Sequence, residues 1–317
     1  MTSPRTDTGT LVSVLEPAAQ GAACVRLAAQ AAAWCGGGTQ PPLAVVLGTG
    51  AHARLAAQQG FHVLAAVAAP AQRAWLARRA LRKQLGPHLA GRTAWAWGPA
   101  AAALAAQHAA RAAAVLEPLP GVPAAPLVGG PAHRAALHAR WEIPHGTAVL
   151  GVLGTSGDAR AALELAVRAS MAGARVAMVV HPAASGLERT RAWLRQAAQA
   201  GGAPALVCDA DLAQPWLVRC GLDAALATSA EACVDAALMA QQVMPVLSTT
   251  LAGAALVPEL AFDRLRPTVG ALALAALLRG SLDGAVTAQR ALAAALPGPA
   301  DVARQLSQAT GLQRAAA

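Results

Sequence analysis

The residue types able to do chemistry gather first in Thr147–Arg160, TAVLGVLGTSGDAR. An apolar run, Ala148–Leu153, meets a small-residue loop, Gly154-Thr155-Ser156-Gly157-Asp158, and a helical pattern follows to about Ala172. Backbone N–H groups left free at such a strand-to-helix junction form an anion site, and Arg160 in the first turn adds charge. Strand, loop, helix N-terminus and arginine therefore read as a phosphate cradle. A second polar group opens a later helical pattern: Ser229, then Glu231 and, one turn on, Asp235, which is either a further polar contact or solvated surface. Asp209 and Asp211 close an apolar run, where parallel sheets bind ligands, but in front of Leu212 they read first as a helix N-cap.

Those residues need a scaffold, and the chain supplies an alternation. Apolar strand patterns at Leu11–Leu15, Leu43–Leu47, Phe61–Val67, Thr93–Trp97 and Ala112–Leu116 are separated by helical ones at Gly21–Trp34, Arg54–Gln59, Ala71–Leu85 and Pro99–Ala109. Proline and glycine then break all periodicity from Glu117 to Pro131, which marks a linker. Beyond it the alternation resumes. Strands are expected at Ala174–His181, Ala205–Cys208, Asp223–Ala227 and Met244–Ser248, and helices at Leu187–Ala200, Leu212–Cys220, Glu231–Gln241, Ala271–Leu278, Gly284–Leu296 and from Asp301 onward. The fold class is α/β: two Rossmann-like three-layer domains with mostly parallel sheets, spanning 1–128 and 129–317, the last helix packing back on the first domain.

Composition narrows the partners. With no Tyr and two Phe among 317 residues there is no stacking platform for single-stranded nucleic acid, and no nucleic-acid partner is expected. The formal charge of +9 rests almost entirely on arginine, Lys83 being the one lysine, and favours anionic ligands or surfaces unless it only reflects base composition. The helix Ala71–Leu85 sets Arg73, Arg78, Arg79, Arg82 and Lys83 beside Trp75, Leu76, Leu81 and Leu85, which is either a solvated basic face or an anionic membrane contact. Five cysteines without C-x-x-C spacing, and a polar start without an apolar core segment, suggest a reducing compartment. The expected location is cytoplasmic, with peripheral membrane contact as a variant. No zinc spacing, G-x-S-x-G elbow or P-loop occurs, so no metal or cofactor is expected. Gly48–Ala53 fits G-x-G-x-x-A but follows the second strand and lacks the acid expected after the next one; it is a dinucleotide fingerprint or a tight turn.

In their order, several segments resemble the donor domain of the GT-B glycosyltransferases, the family 4-like group (glycosyl transferases group 1). They are Arg140–Gly146 (RWEIPHG), the Gly154–Arg160 loop with Arg160 at the family's lysine position, Val176–Pro182 (VAMVVHP), Leu222–Glu231 (LDAALATSAE) and Met244–Thr250 (MPVLSTT). The resemblance covers roughly residues 130–296. It implies that a nucleotide-diphospho-sugar is bound as donor substrate in an interdomain cleft and its sugar transferred to an acceptor. Arg160 stabilises the leaving diphosphate, Gly154, Thr155 and Ser156 line the loop, and Ser229, Glu231 and Asp235 face the donor, with His181 where the family has a close-approach glycine. The family's two glutamates stand eight residues apart, and Met239 holds that offset from Glu231, or Leu238 if the segments are aligned on Pro245. Three readings stay open: a hexosyltransferase, a catalytically degenerate GT-B protein that binds or scaffolds, and a Rossmann NAD(P)-binding protein using Gly48–Ala53.

Overall fold

The computed structural model describes residues 11–36, 40–68, 85–89, 92–108, 121–126, 128–155, 157–198, 204–249, 257–263 and 266–310. Ser156, the expected strand Ala112–Leu116 and all of Ala71–Leu85 but Leu85 lie outside them. The chain divides into two units, residues 1–124 with 297–317, and residues 125–296.

Unit 1 is built on β1 (Leu11–Leu15), β2 (Leu43–Leu47), β3 (His62–Val67) and β4 (Thr93–Trp97). They pair in parallel in the order β3-β2-β1-β4. Near-continuous apolar runs such as LAVVL suit strands covered on both faces. Val12, Val14, Val45, Leu47 and Ala96 form one buried face with Leu85, Leu89 and Leu104, the last on α3 (Pro99–His108). Beside the sheet α1 (Pro17–Cys35) starts on a proline and breaks at Gly21, whose φ of 74° is open to glycine without penalty. α2 (Gly50–Gln58) follows β2 directly. The last helix, α10 (Pro299–Thr310), packs along α1 and buries Val302, Ala303 and Leu306. Alanine on both helices permits that close approach, and the Val122 N–H donates to the Pro297 carbonyl at 2.9 Å where the chain returns.

Unit 2 holds β5 (Ala148–Val152), β6 (Val176–Val180), β7 (Ala205–Cys208), β8 (Ala224–Ala227), β9 (Val246–Thr249) and β10 (Ala261–Phe262). Every pairing is parallel, in the order β10-β9-β8-β5-β6-β7. The order reverses between β5 and β8, the arrangement of a doubly wound sheet. On one face α5 (Ala159–Met171), α6 (Leu187–Ala198) and α8 (Pro267–Leu278) bury Leu163, Leu165, Leu187, Leu274 and Leu277 against Leu150, Met178 and Leu226. α4 (Pro131–Arg140), α7 (Cys233–Gln241) and α9 (Asp283–Ala294) complete the unit. The expectation of two parallel Rossmann-like sheets is borne out.

One expected helix is replaced. Leu212–Cys220 lies in three 3₁₀ turns, Ala210–Ala213, Pro215–Leu217 and Arg219–Gly221. Pro215 supplies no N–H and its ring opposes a helical carbonyl four residues back, so an α-helix cannot run through it. The two-residue β10 has no sequence signal of its own, being too short to show alternation.

Candidate functional site

The polar residues of unit 2 meet where its parallel strands end. β5 leads into Gly154, whose φ of +86° suits glycine, then Thr155. Across the strand-order reversal, β8 leads through Thr228 and Ser229 into a 3₁₀ turn, Ala230–Ala232. That turn brings Glu231, only 4% exposed, back over the loop. Its Oε1 accepts from the Thr155 N–H at 3.0 Å and from the Thr155 hydroxyl at 2.6 Å. The Asp158 N–H donates to the Thr228 hydroxyl at 2.9 Å. Ser185, after β6, joins from the other side: its N–H donates to the Gly157 carbonyl at 2.8 Å and its carbonyl accepts from Ala159 at 3.0 Å. Gly157 must be glycine by contact, because a Cβ there would stand 2.7 Å from Val152 Cγ1 and 2.9 Å from the Leu153 carbonyl.

This wiring changes the expected cradle. The Asp158 side chain accepts from the Arg160 and Ala161 N–H groups at 3.0 and 3.1 Å, and the Ala162 N–H reaches the Asp158 carbonyl at 3.2 Å. With Ala159 bound to Ser185 and Thr155 to Glu231, the first turn of α5 and its loop present no free N–H among their described residues from Thr155 to Ala162. Internal carboxylates, backbone carbonyls and the Thr228 hydroxyl occupy the donors that an external anion was expected to meet. Arg160 stays available as a side chain: it is 69% exposed and shares Glu164 at 3.4 Å, one turn along.

His181 follows β6 at the same sheet end. Its Nδ1 accepts from the Ala183 N–H at 3.1 Å, which leaves the proton of a neutral ring on Nε2 as a donor. Burial lowers its pKa below the ordinary 6.5, while the carboxylates of Glu231 and Asp209 pull the other way. The unfolded chain therefore takes up this proton first as pH falls. Stability is whole above 6.5 and declines below it until the native imidazole also protonates. Denaturant titrations between neutral pH and about pH 5 should show this decline, and His181→Asn should flatten it; an unchanged slope in the variant assigns the decline to other groups.

The remaining candidates divide. Ser229 is half-buried, and among the described residues its Oγ has no hydrogen-bond partner; the Thr249 hydroxyl, which closes β9, is buried and likewise has none among them. Asp235 is not solvated surface: it is 1% exposed within α7, which packs between its own strand and α9. Asp209 is a cap, its Oδ1 accepting from Asp211 N–H at 2.9 Å, and its Oδ2 accepts from the Trp141 indole at 2.7 Å and pairs with Arg140. Met239 and Leu238, at the two offsets where the resemblance places a second acid, are buried core side chains. Sequence reasoning singled out Ser229 but missed the Thr249 hydroxyl and the Glu231–Thr155 bond, for which strand-end polarity is the one available signal.

In unit 1, Gly48 and Thr49 make the turn from β2 into α2, whose first residues are Gly50–Ala53. Gly48 has φ +153°, and a Cβ on it would meet His52 Nδ1 at 2.5 Å. That nitrogen accepts from the Thr49 N–H at 3.0 Å, so the histidine fills the turn that a pyrophosphate would need. The turn also follows β2 rather than β1, away from the β1/β4 reversal of strand order.

No family model matches the sequence, and no curated protein matches it. Solved structures do. A glycosyltransferase from Rickettsia africae aligns with a TM-score of 0.63 at 10% identity, over 98% of this chain and 100% of that one. Anabaena HepE, solved with UDP and glucose, aligns with a TM-score of 0.59 at 11% identity, over 96% and 99%. The N-terminal domain of a Candida albicans trehalose-6-phosphate phosphatase aligns with a TM-score of 0.61 at 9% identity, over 99% of each. At such identities these matches establish the fold, GT-B with two Rossmann-like sheets, and the last shows it within a protein named for another activity.

Proposed function

We propose that the protein binds a nucleotide-diphospho-sugar at the C-terminal strand ends of unit 2 and transfers its sugar to an acceptor, with unit 2 as the donor side and unit 1 as the acceptor side. The observation that carries the reading is Glu231, buried and bonded to Thr155 across the reversal between β5 and β8, where doubly wound sheets take their ligands. The groups around it suit a hydroxyl-rich anion: the His181 Nε2 proton, the Ser229 hydroxyl and the exposed guanidinium of Arg160, held toward Glu164. As the bond to the leaving diphosphate lengthens, negative charge grows on its oxygen, and a fixed cation beside it lowers that barrier. Gly154 and Thr155 border the diphosphate, and Asp235 lies buried in α7 four residues beyond Glu231. The complex of HepE with UDP and glucose supports the ligand class.

A second reading has its own observation. Every described N–H at the start of α5 is internally satisfied, and the positions expected to carry a second acid are core, which favours a catalytically degenerate GT-B protein that serves as a binding or scaffold subunit.

Thermal shifts against UDP-, GDP- and ADP-sugars, with NAD(P)H alongside, separate these readings. A ligand at a hundred times its Kd stabilises by about 2.7 kcal/mol, a readily measured shift. Arg160→Ala should weaken that binding about 10–100-fold, the worth of a charge-assisted hydrogen bond. Stabilisation without sugar release supports the second reading, and no shift with any nucleotide sinks the first and favours a scaffold.

A further inference from the structure

We propose that the α5–α6–α8 layer of unit 2 docks on an anionic lipid bilayer, with the groove between α5 and α6 receiving a lipid phosphate and the start of its chain. Among the described residues six large apolar side chains are exposed, and four belong to this one layer: Met171 on α5, Trp193 on α6, Val269 and Leu272 on α8. Met171 is 84% exposed and Leu272 59%, far beyond what a side chain needs merely to cover its neighbours. A groove of about 530 Å³ runs between α5 and α6, lined by Val167, Met171 and Trp193, by Arg160, Arg168 and Arg189, and by one acid, Glu164. Thr190, 1% exposed, also lines it, and its hydroxyl has no hydrogen-bond partner.

Charge decides the occupant. Arg160 shares Glu164, and Arg191 is bonded to Glu188 at 2.7 Å. Arg168 reaches only the Thr268 hydroxyl, at 2.9 Å, and neither it, Arg189 nor Arg195 has a carboxylate partner among the described residues. The layer thus joins apolar side chains to an excess of arginine, the pairing that holds a protein at the boundary between headgroups and acyl chains. The apolar side chains are spread over three helices rather than gathered into one anchor. A fluid lipid surface accommodates that spread, whereas a protein partner needs a shaped, desolvated centre. No single helix among the described residues is long and apolar enough to cross a membrane.

The test is co-sedimentation of the full chain with vesicles of phosphatidylcholine alone or mixed with phosphatidylglycerol, at low and high salt. Binding should require phosphatidylglycerol and weaken with salt. Arg168→Ala and Arg189→Ala should each lower partitioning roughly five-fold, while leaving the nucleotide shift intact. Met171→Ser with Trp193→Ser should lower it at every salt concentration, and these exposed positions should not change the melting profile. Equal binding to both vesicles, no binding to either, or full binding by the double arginine variant overturns the proposal. So does a concentration-dependent dimer, seen by light scattering, that Trp193→Ser abolishes, because a second copy then covers the layer. Loss of nucleotide binding alone leaves vesicle binding untouched, so the two readings fail separately.

Discussion

Replacing Glu231 by alanine is expected to cost about 3–5 kcal/mol of stability and to abolish nucleotide-sugar binding. Two donors of Thr155, the N–H and the hydroxyl, converge on one carboxylate oxygen, in a place water barely reaches. Bonds to a charged acceptor are worth about 1.5–3 kcal/mol each, and a buried donor left unmatched costs about 1–3 kcal/mol. Loop and turn then separate, and the strand ends on either side of the order reversal lose their fixed spacing. Glu231→Gln keeps the shape and one acceptor oxygen but loses the charge, so it should fall between alanine and wild type. Denaturant unfolding gives the stabilities and ligand titration the affinities. Thr155→Val closes a double-mutant cycle, in which a coupling of about 1–2 kcal/mol is expected for partners in direct contact. Additive effects, or an alanine variant within about 0.5 kcal/mol of wild type, would show that the bond does not organise the loop.

The second large effect follows from the last helix. A chain stopped after Leu296 should lose the cooperative unfolding of unit 1 and keep that of unit 2. α10 buries Val302, Ala303 and Leu306, and its loss uncovers the side of α1 on which it lies. Burying a Val or Leu side chain is worth about 1.5–3 kcal/mol, so the lost contacts approach the 5–15 kcal/mol that holds a whole domain together. It also removes the bond from Val122 to the Pro297 carbonyl. Calorimetry should show one transition where the full chain shows two, and hydrogen exchange should show β1–β4 unprotected beside a protected β5–β9. Two surviving transitions would mean that α10 only decorates α1.

Strand positions were legible wherever the apolar run was bounded by turn formers. Leu11–Leu15, Leu43–Leu47 and Thr93–Trp97 occupy the expected residues. The parallel, doubly wound plan followed from the alternation, and the GT-B expectation from the order of a few segments, although overall identity to structures of that fold is near a tenth. Two kinds of information were not legible. Proline in mid-pattern outweighed the apolar spacing of Leu212–Cys220, a contest that periodicity alone does not register. Contacts made at long range were invisible: Glu231 lies 76 positions from Thr155, and Thr228 lies 70 from Asp158. The loop sequence announces a helix start with free donors; only the fold shows that groups of the same chain already hold them. The burial of Asp235 was hidden for a related reason, since its spacing from Glu231 gives a helix face but not how deeply that face is packed.

The return of α10 to α1 also fixes an order of events on the ribosome. Unit 1 is the first to emerge and the last that can be finished, because the helix that covers α1 is encoded after the whole of unit 2. Through that synthesis one side of α1 stays uncovered, whereas the strands of unit 2 all come from one continuous stretch of chain.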